Sequence, residues 1–220
     1  MRFKPILFNT DMVKAILQGR KTQTRRIVKP HYHKNECGYN VVTNAHTGAF
    51  CYIEYYDWNE RPTERYLEPP YYPGDILWVR ETWCNLPVSP GGHTRLMRGR
   101  YYYKADVPDI RPDGWRGKWK PSIHMPKEAA RLFISVKKIR CEKLNDISDD
   151  DILAEGVLPS LVTTGEPITD SALTAGRRMA FRKLWDSTIP KEKLVFNGWA
   201  ANPRVWVFEF RQTDKPEEWL

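Results

Sequence analysis

Lys21, Thr24 and Glu155 are the residues whose types and surroundings can do chemistry. Lys21 stands in the octet Gly19-Arg20-Lys21-Thr22-Gln23-Thr24-Arg25-Arg26. In a partly closed site, like charges so near would lower the lysine pKa and make a neutral amine available as a base. On an open basic face the same lysine is a solvated cation. Thr24 follows three positions on, near enough in a turn for its hydroxyl to reach the Lys21 amine, and a threonine is a poor nucleophile without such a base. A local hydrogen bond in the turn is its other role, and the spacing does not choose between them. Glu155 falls at the expected C-terminus of a short helix, where the helix dipole disfavours a carboxylate. A cation from the segment around Lys21 would compensate; an exposed Glu tolerating a small penalty is the alternative.

From Met12 to Asn35 there are seven basic residues (Lys14, Arg20, Lys21, Arg25, Arg26, Lys29, Lys34) and no Asp or Glu. Such a stretch also suits polyanion binding. The chain's 35 Lys and Arg against 27 Asp and Glu give a net charge of +8 over 220 residues. That balance favours anionic partners such as nucleic acid and is equally compatible with an ordinary basic surface. Tyr101, Tyr102, Tyr103, Trp115 and Trp119 are interleaved with Arg and Lys, a mixture that suits base stacking as well as core and cation–π packing. Arg80 and Glu81 are neighbours on an expected strand and face opposite sides, so one points inward or into a cleft and needs a partner.

Other chemistries find less support. Cys37, Cys51, Cys84 and Cys141 are scattered without a CxxC pair, which indicates neither a zinc ribbon nor a disulfide scaffold. His31, His33 and Cys37 lack a clear fourth ligand. Asp149, Asp150 and Asp151 would point in different directions on a helix and are read as first-turn residues, so no metal is assigned. There is no P-loop, dinucleotide-binding glycine motif, zincin motif or nucleophile elbow, and no cofactor is expected. No apolar run reaches the roughly 20 residues of a bilayer span, and the first residues lack a secretory h-region, so the expected setting is cytoplasmic with no membrane partner.

The elements that must position these residues follow from pattern. Asn9, Thr10 or Asp11 caps a short helix with Met12, Val13, Ala15, Ile16 and Leu17 in its apolar stripe, and Gly19 ends it. The octet begins where that helix stops. Strands are expected over Ile76–Trp83, a central one that the turn Pro73-Gly74-Asp75 leads into, around Leu132–Val136 and over Val205–Phe210. Ser148 starts a short helix that runs to about Glu155, before Gly156. A longer helix presents Ala180, Phe181, Leu184 and Trp185 on one face. This is an α+β chain, best fitted by a small mixed β-barrel with flanking helices, and read as one domain over 1–220 with insertions near 31–70, 86–118 and 158–176.

These residues form blocks that resemble ASCH domain proteins, in particular the longer phage and prophage type, a branch of the PUA-like superfamily. The blocks are Ile16-Leu17-x-Gly19-Arg20-Lys21-Thr22-x-Thr24-Arg25-Arg26, Pro73 through Trp83, Trp119 through Pro126, Ile147-Ser148 through Val157, and Leu184-Trp185-Asp186 followed by Trp199 through Pro203. The resemblance implies a PUA-like β-barrel with a cleft for RNA or a nucleobase. Small members of the family hydrolyse the amide of N4-acetylcytidine without a metal. Their catalytic Lys, Thr and Glu correspond to Lys21, Thr24 and Glu155, with Lys21 activating Thr24, Thr24 attacking the acyl carbonyl and Glu155 orienting Lys21 or handling the leaving amine's proton. Arg20, Arg25, Arg26, Arg80, Glu81, Trp83 and His124 are the expected substrate or nucleic-acid contacts, with Arg98 and Arg100 as further phosphate contacts. Three activities are therefore expected in competition: a metal-independent amidohydrolase on N4-acylated cytosine bases or nucleosides, an RNA or modified-nucleobase binding module without catalysis, and a metal-independent ribonuclease. The partner in each case is a nucleobase, nucleoside or RNA.

Overall fold

The computed structural model describes residues 2–29, 36–43, 51–85, 101–106, 118–158 and 169–219. In chain order the first half carries β1 (Phe3–Leu7), α1 (Thr10–Leu17), β2 (Gln23–Ile27), β3 (Glu36–Thr43), β4 (Cys51–Asp57), β5 (Pro62–Leu67), β6 (Ile76–Arg80) and β7 (Trp83–Asn85). The second half carries β8 (Tyr101–Tyr103), β9 (Phe133–Lys143), α2 (Asp149–Ala154), α3 (Asp170–Ser187), α4 (Leu194–Asn197) and β10 (Arg204–Thr213). The class is α+β, with strands predominating. Among the described residues no helix is long and apolar enough to cross a membrane.

The chain divides into two compact units, each assembled from separated segments. The first comprises Met1–Gly19, Asp75–Ser135 and Gln212–Leu220. Its strands run in the order β1-β6-β9, with β1 parallel to β6 and β6 antiparallel to the first residues of β9. Helix α1 starts because Asn9 Oδ1 accepts the Met12 N–H at 2.9 Å, and it ends at Gly19, whose φ of 72° is readily available only to glycine. Val13, Ala15 and Ile16 form its buried stripe. A second core gathers around Trp219, whose ring meets Phe133 at 5.0 Å and Phe3 at 5.5 Å between centroids. The run Ile76–Trp83 is two strands rather than the single one expected, because the chain leaves the ladder at Glu81 and Thr82 and β7 pairs instead with β8.

The second unit comprises Arg20–Gly74 and Val136–Arg211. Here the order is β9-β10-β2, which leaves β2 at the sheet edge, and β3-β4-β5 form a separate antiparallel sheet. Val205 and Val207 of β10 pack with Leu144, Ile147, Ile152, Val157, Phe181 and Trp185 in one core. Helix α3 begins at Asp170, where Thr169 Oγ1 accepts the Ala172 N–H at 3.3 Å. The expected loop near 158–176 thus ends earlier, and its last residues are helical because Thr169 supplies a cap. Among the described residues the strands form three sheets and no closed barrel.

Candidate functional site

The basic octet lies almost wholly in the second unit, and its second half is strand. From Gln23 the chain pairs with β10, matching Gln23 to Glu209, Thr24 to Phe208, Arg25 to Val207 and Arg26 to Trp206. The alternation of a strand then sorts the octet between two faces. Gln23 Oε1 accepts from Arg25 Nη1 at 2.8 Å, so these two share a face, and Thr24 and Arg26 take the other.

On the Gln23 and Arg25 face stands a closed cluster of charges. Lys21 and Glu155 form a backbone bridge, and Lys21 Nζ donates to Glu155 Oε2 at 2.6 Å, to Glu155 O at 3.0 Å and to Gln23 O at 2.8 Å. Arg25 takes the other Glu155 oxygen at 3.1 Å and also donates to Glu142 at 2.6 Å and Asp151 at 2.8 Å. Gln23 Nε2 donates to Asp151 at 2.9 Å. Arg140 then joins Glu142, Asp151 and Glu209 at 2.7–2.9 Å. Lys21, Arg25 and Glu155 are 2%, 3% and 4% exposed, so this is an interior network and not a solvated basic face. Burial drives the Lys21 pKa below its ordinary value, outweighing the attraction of Glu155, and Arg26 and Arg25 push in the same direction. Thr24 is buried, and the alternation turns its hydroxyl to the opposite face. The structure therefore brings Lys21 and Glu155 together and sets Thr24 across the sheet from them.

The face carrying Arg26 meets a cavity. It has a volume of about 530 Å³ and is lined by Arg25, Arg26, Ile27 and Lys29 of the β2 segment, by Leu67, Glu68, Pro70 and Tyr71, by Trp185, Thr188 and Ile189, and by Trp206. Tyr71 packs edge-on against Phe208 at 5.1 Å, which fixes its ring beside the strand. Burial lowers the Arg26 pKa, and Tyr71 and Glu155 oppose that shift. Burial raises the Tyr71 pKa, which keeps the phenol neutral at physiological pH. Arg20 donates to Gly156 O at 2.8 Å, which fastens the start of the octet to the end of α2.

Arg80, Glu81, Trp83 and His124 belong to the first unit. Glu81 is the inward member of its pair, 1% exposed, and both its oxygens are held by Arg131, which also bonds Asp106 and lies over the Tyr103 ring at 3.9 Å. Burial raises the Glu81 pKa against the opposing pull of Arg131. Arg80 bonds the Ile123 carbonyl and lies over Trp78. Trp83 is buried, with Lys120 over its ring at 4.6 Å, and its Nε1 has no hydrogen-bond partner among the described residues. His124 is exposed at the end of a short 3-10 turn. Arg98, Arg100, Trp115, His31 and His33 lie outside the described residues. Cys37, considered with the two histidines, is exposed and its thiol donates to Asp57 O. Among the described residues no group of three His, Cys, Asp or Glu is placed to hold a metal.

Sequence reading passed over Gln23, Arg140, Glu142, Glu209 and Asp151 as site members. Arg140 and Glu142 carried a signal, since residues two apart on a strand share a face and opposite charges there pair readily. Asp151 stands in the first turn of α2, where its N–H meets Ser148 Oγ at 3.1 Å, while its carboxylate turns to Arg25 and Arg140. Among known proteins, no family model, no curated protein and no solved structure matches this chain.

Proposed function

We propose that this chain binds a nucleobase, as a nucleoside or nucleotide or within RNA, in the cavity beside β2. One observation carries the reading: Tyr71, Trp185 and Trp206 line the same 530 Å³ volume as Arg26 and Lys29. A volume of that order suits a small organic ligand, the rings offer stacking surface, and the cations suit phosphate. In this reading the chain is a PUA-like, ASCH-type protein of the cytoplasm, and the charged cluster is the rigid backing of the strand that forms the cavity wall. The test is equilibrium binding of single-stranded RNA and of nucleoside monophosphates by the full chain at about 50 mM salt, where electrostatic contacts are strongest. Binding weakened at least tenfold by Arg26→Gln with Lys29→Gln supports it; no binding of either ligand would sink it.

A second reading, hydrolysis of an N4-acyl cytosine, is favoured by the short Lys21–Glu155 contact and the lowered Lys21 pKa. In that scheme Lys21 takes the Thr24 hydroxyl proton, Thr24 Oγ bonds to the acyl carbon, the C–N bond breaks and the cytosine amine leaves with a proton. Water then cleaves the acyl ester, releasing the carboxylate and restoring Thr24. The scheme requires Thr24 to reach Lys21, so β2 must rearrange when substrate binds. Release of acetate and cytidine from N4-acetylcytidine, abolished by Lys21→Ala and by Thr24→Ala, is the expected result; equal turnover in either variant rejects the scheme.

A further inference from the structure

The main chain of β2 divides as its side chains do. Phe210 N–H donates to Thr22 O at 2.8 Å and Val28 N–H donates to Arg204 O at 3.0 Å. In an antiparallel ladder the hydrogen-bonded positions recur every second residue, so Thr24 and Arg26 also turn their N–H and C=O toward β10. Gln23, Arg25 and Ile27 turn theirs the other way, to the edge that no described strand covers. Gln23 O illustrates this, since it accepts from Lys21 and not from β10. Arg25 and Ile27 both line the cavity, and the Arg25 side chain is closed off in the ion-pair cluster with 1% exposure. Arg25 as a whole is only 3% exposed, whereas Ile27 is partly exposed, so Ile27 is the edge residue open to the cavity.

We propose that the cavity holds one unpaired nucleotide whose Watson–Crick edge bonds to the outward N–H and C=O groups of Ile27. The proposal rests on the nucleobase reading above and adds which edge of the base is used. A strand edge offers a donor close to an acceptor, and the pairing edge of each common base carries an acceptor beside a donor. Recognition of this kind tolerates any base, yet it requires that the base not be paired, so the ligand class is single-stranded and excludes the interior of a duplex. Tyr71 and Trp206 supply ring surface on the Arg26 face and Trp185 on the face of Val205 and Val207, Lys29 and Arg26 suit the phosphate, and the exposed Glu68 suits ribose hydroxyls.

The test uses the full chain and three neutral bases. Uridine 5′-monophosphate, its 5-methyl derivative and its 3-methyl derivative are titrated by calorimetry, and the same three bases are placed in single-stranded hexanucleotides. The 5-methyl group leaves the pairing edge intact, whereas the 3-methyl group removes its N–H and blocks it. The expected result is that the 5-methyl ligand binds within about threefold of the parent and the 3-methyl ligand at least tenfold more weakly, a difference of about 1.4 kcal/mol or more. Response in the mononucleotide series identifies a free nucleotide, and response confined to the hexanucleotides identifies a strand. Equal affinity for the 3-methyl and 5-methyl ligands overturns the edge assignment and leaves nucleobase binding standing. No binding in either series overturns both.

Discussion

At the end of α2 a carboxylate faces a helix dipole that disfavours it, and Glu155 is held there because Lys21 takes one of its oxygens and Arg25 the other. All three are buried, and breaking such a pair from one side leaves an uncompensated charge in the interior. Glu155→Ala should therefore cost about 3–5 kcal/mol in urea unfolding. Glu209 accepts from Arg140 in the same network but is 37% exposed, so Glu209→Ala should cost no more than about 1 kcal/mol. A similar cost for both variants would mean that Glu155 is not the keystone of the cluster. Asp151 adds a pH dependence. Burial raises its pKa, but the Gln23 hydrogen bond and the charges of Arg25 and Arg140 outweigh burial and hold the carboxyl below its ordinary value. In the window between the folded value and about 3.9 the unfolded chain binds more protons than the folded one. Asp151 thus contributes stability that is complete above that window and lost as pH falls through the folded value. Urea unfolding between pH 6 and pH 3 should show a shallower acid decline in Asp151→Asn than in the parent chain, and parallel declines would assign the acid sensitivity elsewhere.

Among the elements, α1 and β2 show what separates a legible segment from an illegible one. Helix α1 has a capping residue, one apolar stripe and a terminal glycine, and each is a local signal. Its cap is testable: Asn9→Ala should lower stability by about 1 kcal/mol and Asn9→Ser by much less, measured by thermal unfolding. Equal losses would show that the Asn9 side chain acts by packing and not by capping. Strand β2 has no such signal. One face carries Gln23 and Arg25 into an ionic interior and the other carries Thr24 and Arg26 against Phe208 and Trp206, so neither face is apolar in sequence. A segment whose burial is provided by charge pairing reads as a basic surface turn, because the three acids that neutralise it, Glu142, Asp151 and Glu155, arrive from β9 and from α2 and its C-cap. Glu155 was readable as a site residue for the opposite reason, since its unfavourable helix position announced a missing cation. Asp151 was readable only as a cap, because the first turn of a helix already accounts for an acid there.

For the whole chain, the distribution of charge sets a limit on how strongly salt can act. Seven basic residues between Met12 and Asn35 first suggest a broad polyanion surface, and the net charge of +8 supports that impression. Two of the seven, Lys21 and Arg25, are instead buried against acids, and a paired interior cation releases no counterion when a strand binds. Within that stretch the cavity adds Arg26 and Lys29 as the residues beside the proposed ligand. With about 0.7 logarithmic units per phosphate contact on a single strand, two contacts give a slope of about −1.4 in a plot of log affinity against log salt. Between about 50 and 200 mM salt that slope costs about sevenfold in affinity, whereas seven acting cations would give a slope of about −5 and a loss of about a thousandfold. Titration of a labelled single-stranded RNA over this range distinguishes the two. The shallow slope is expected, and Lys29→Gln should reduce it by about 0.7 because one phosphate contact is removed. A slope of about −5 that Lys29→Gln leaves unchanged would move RNA binding away from the edge of β2 to a surface built from other basic residues.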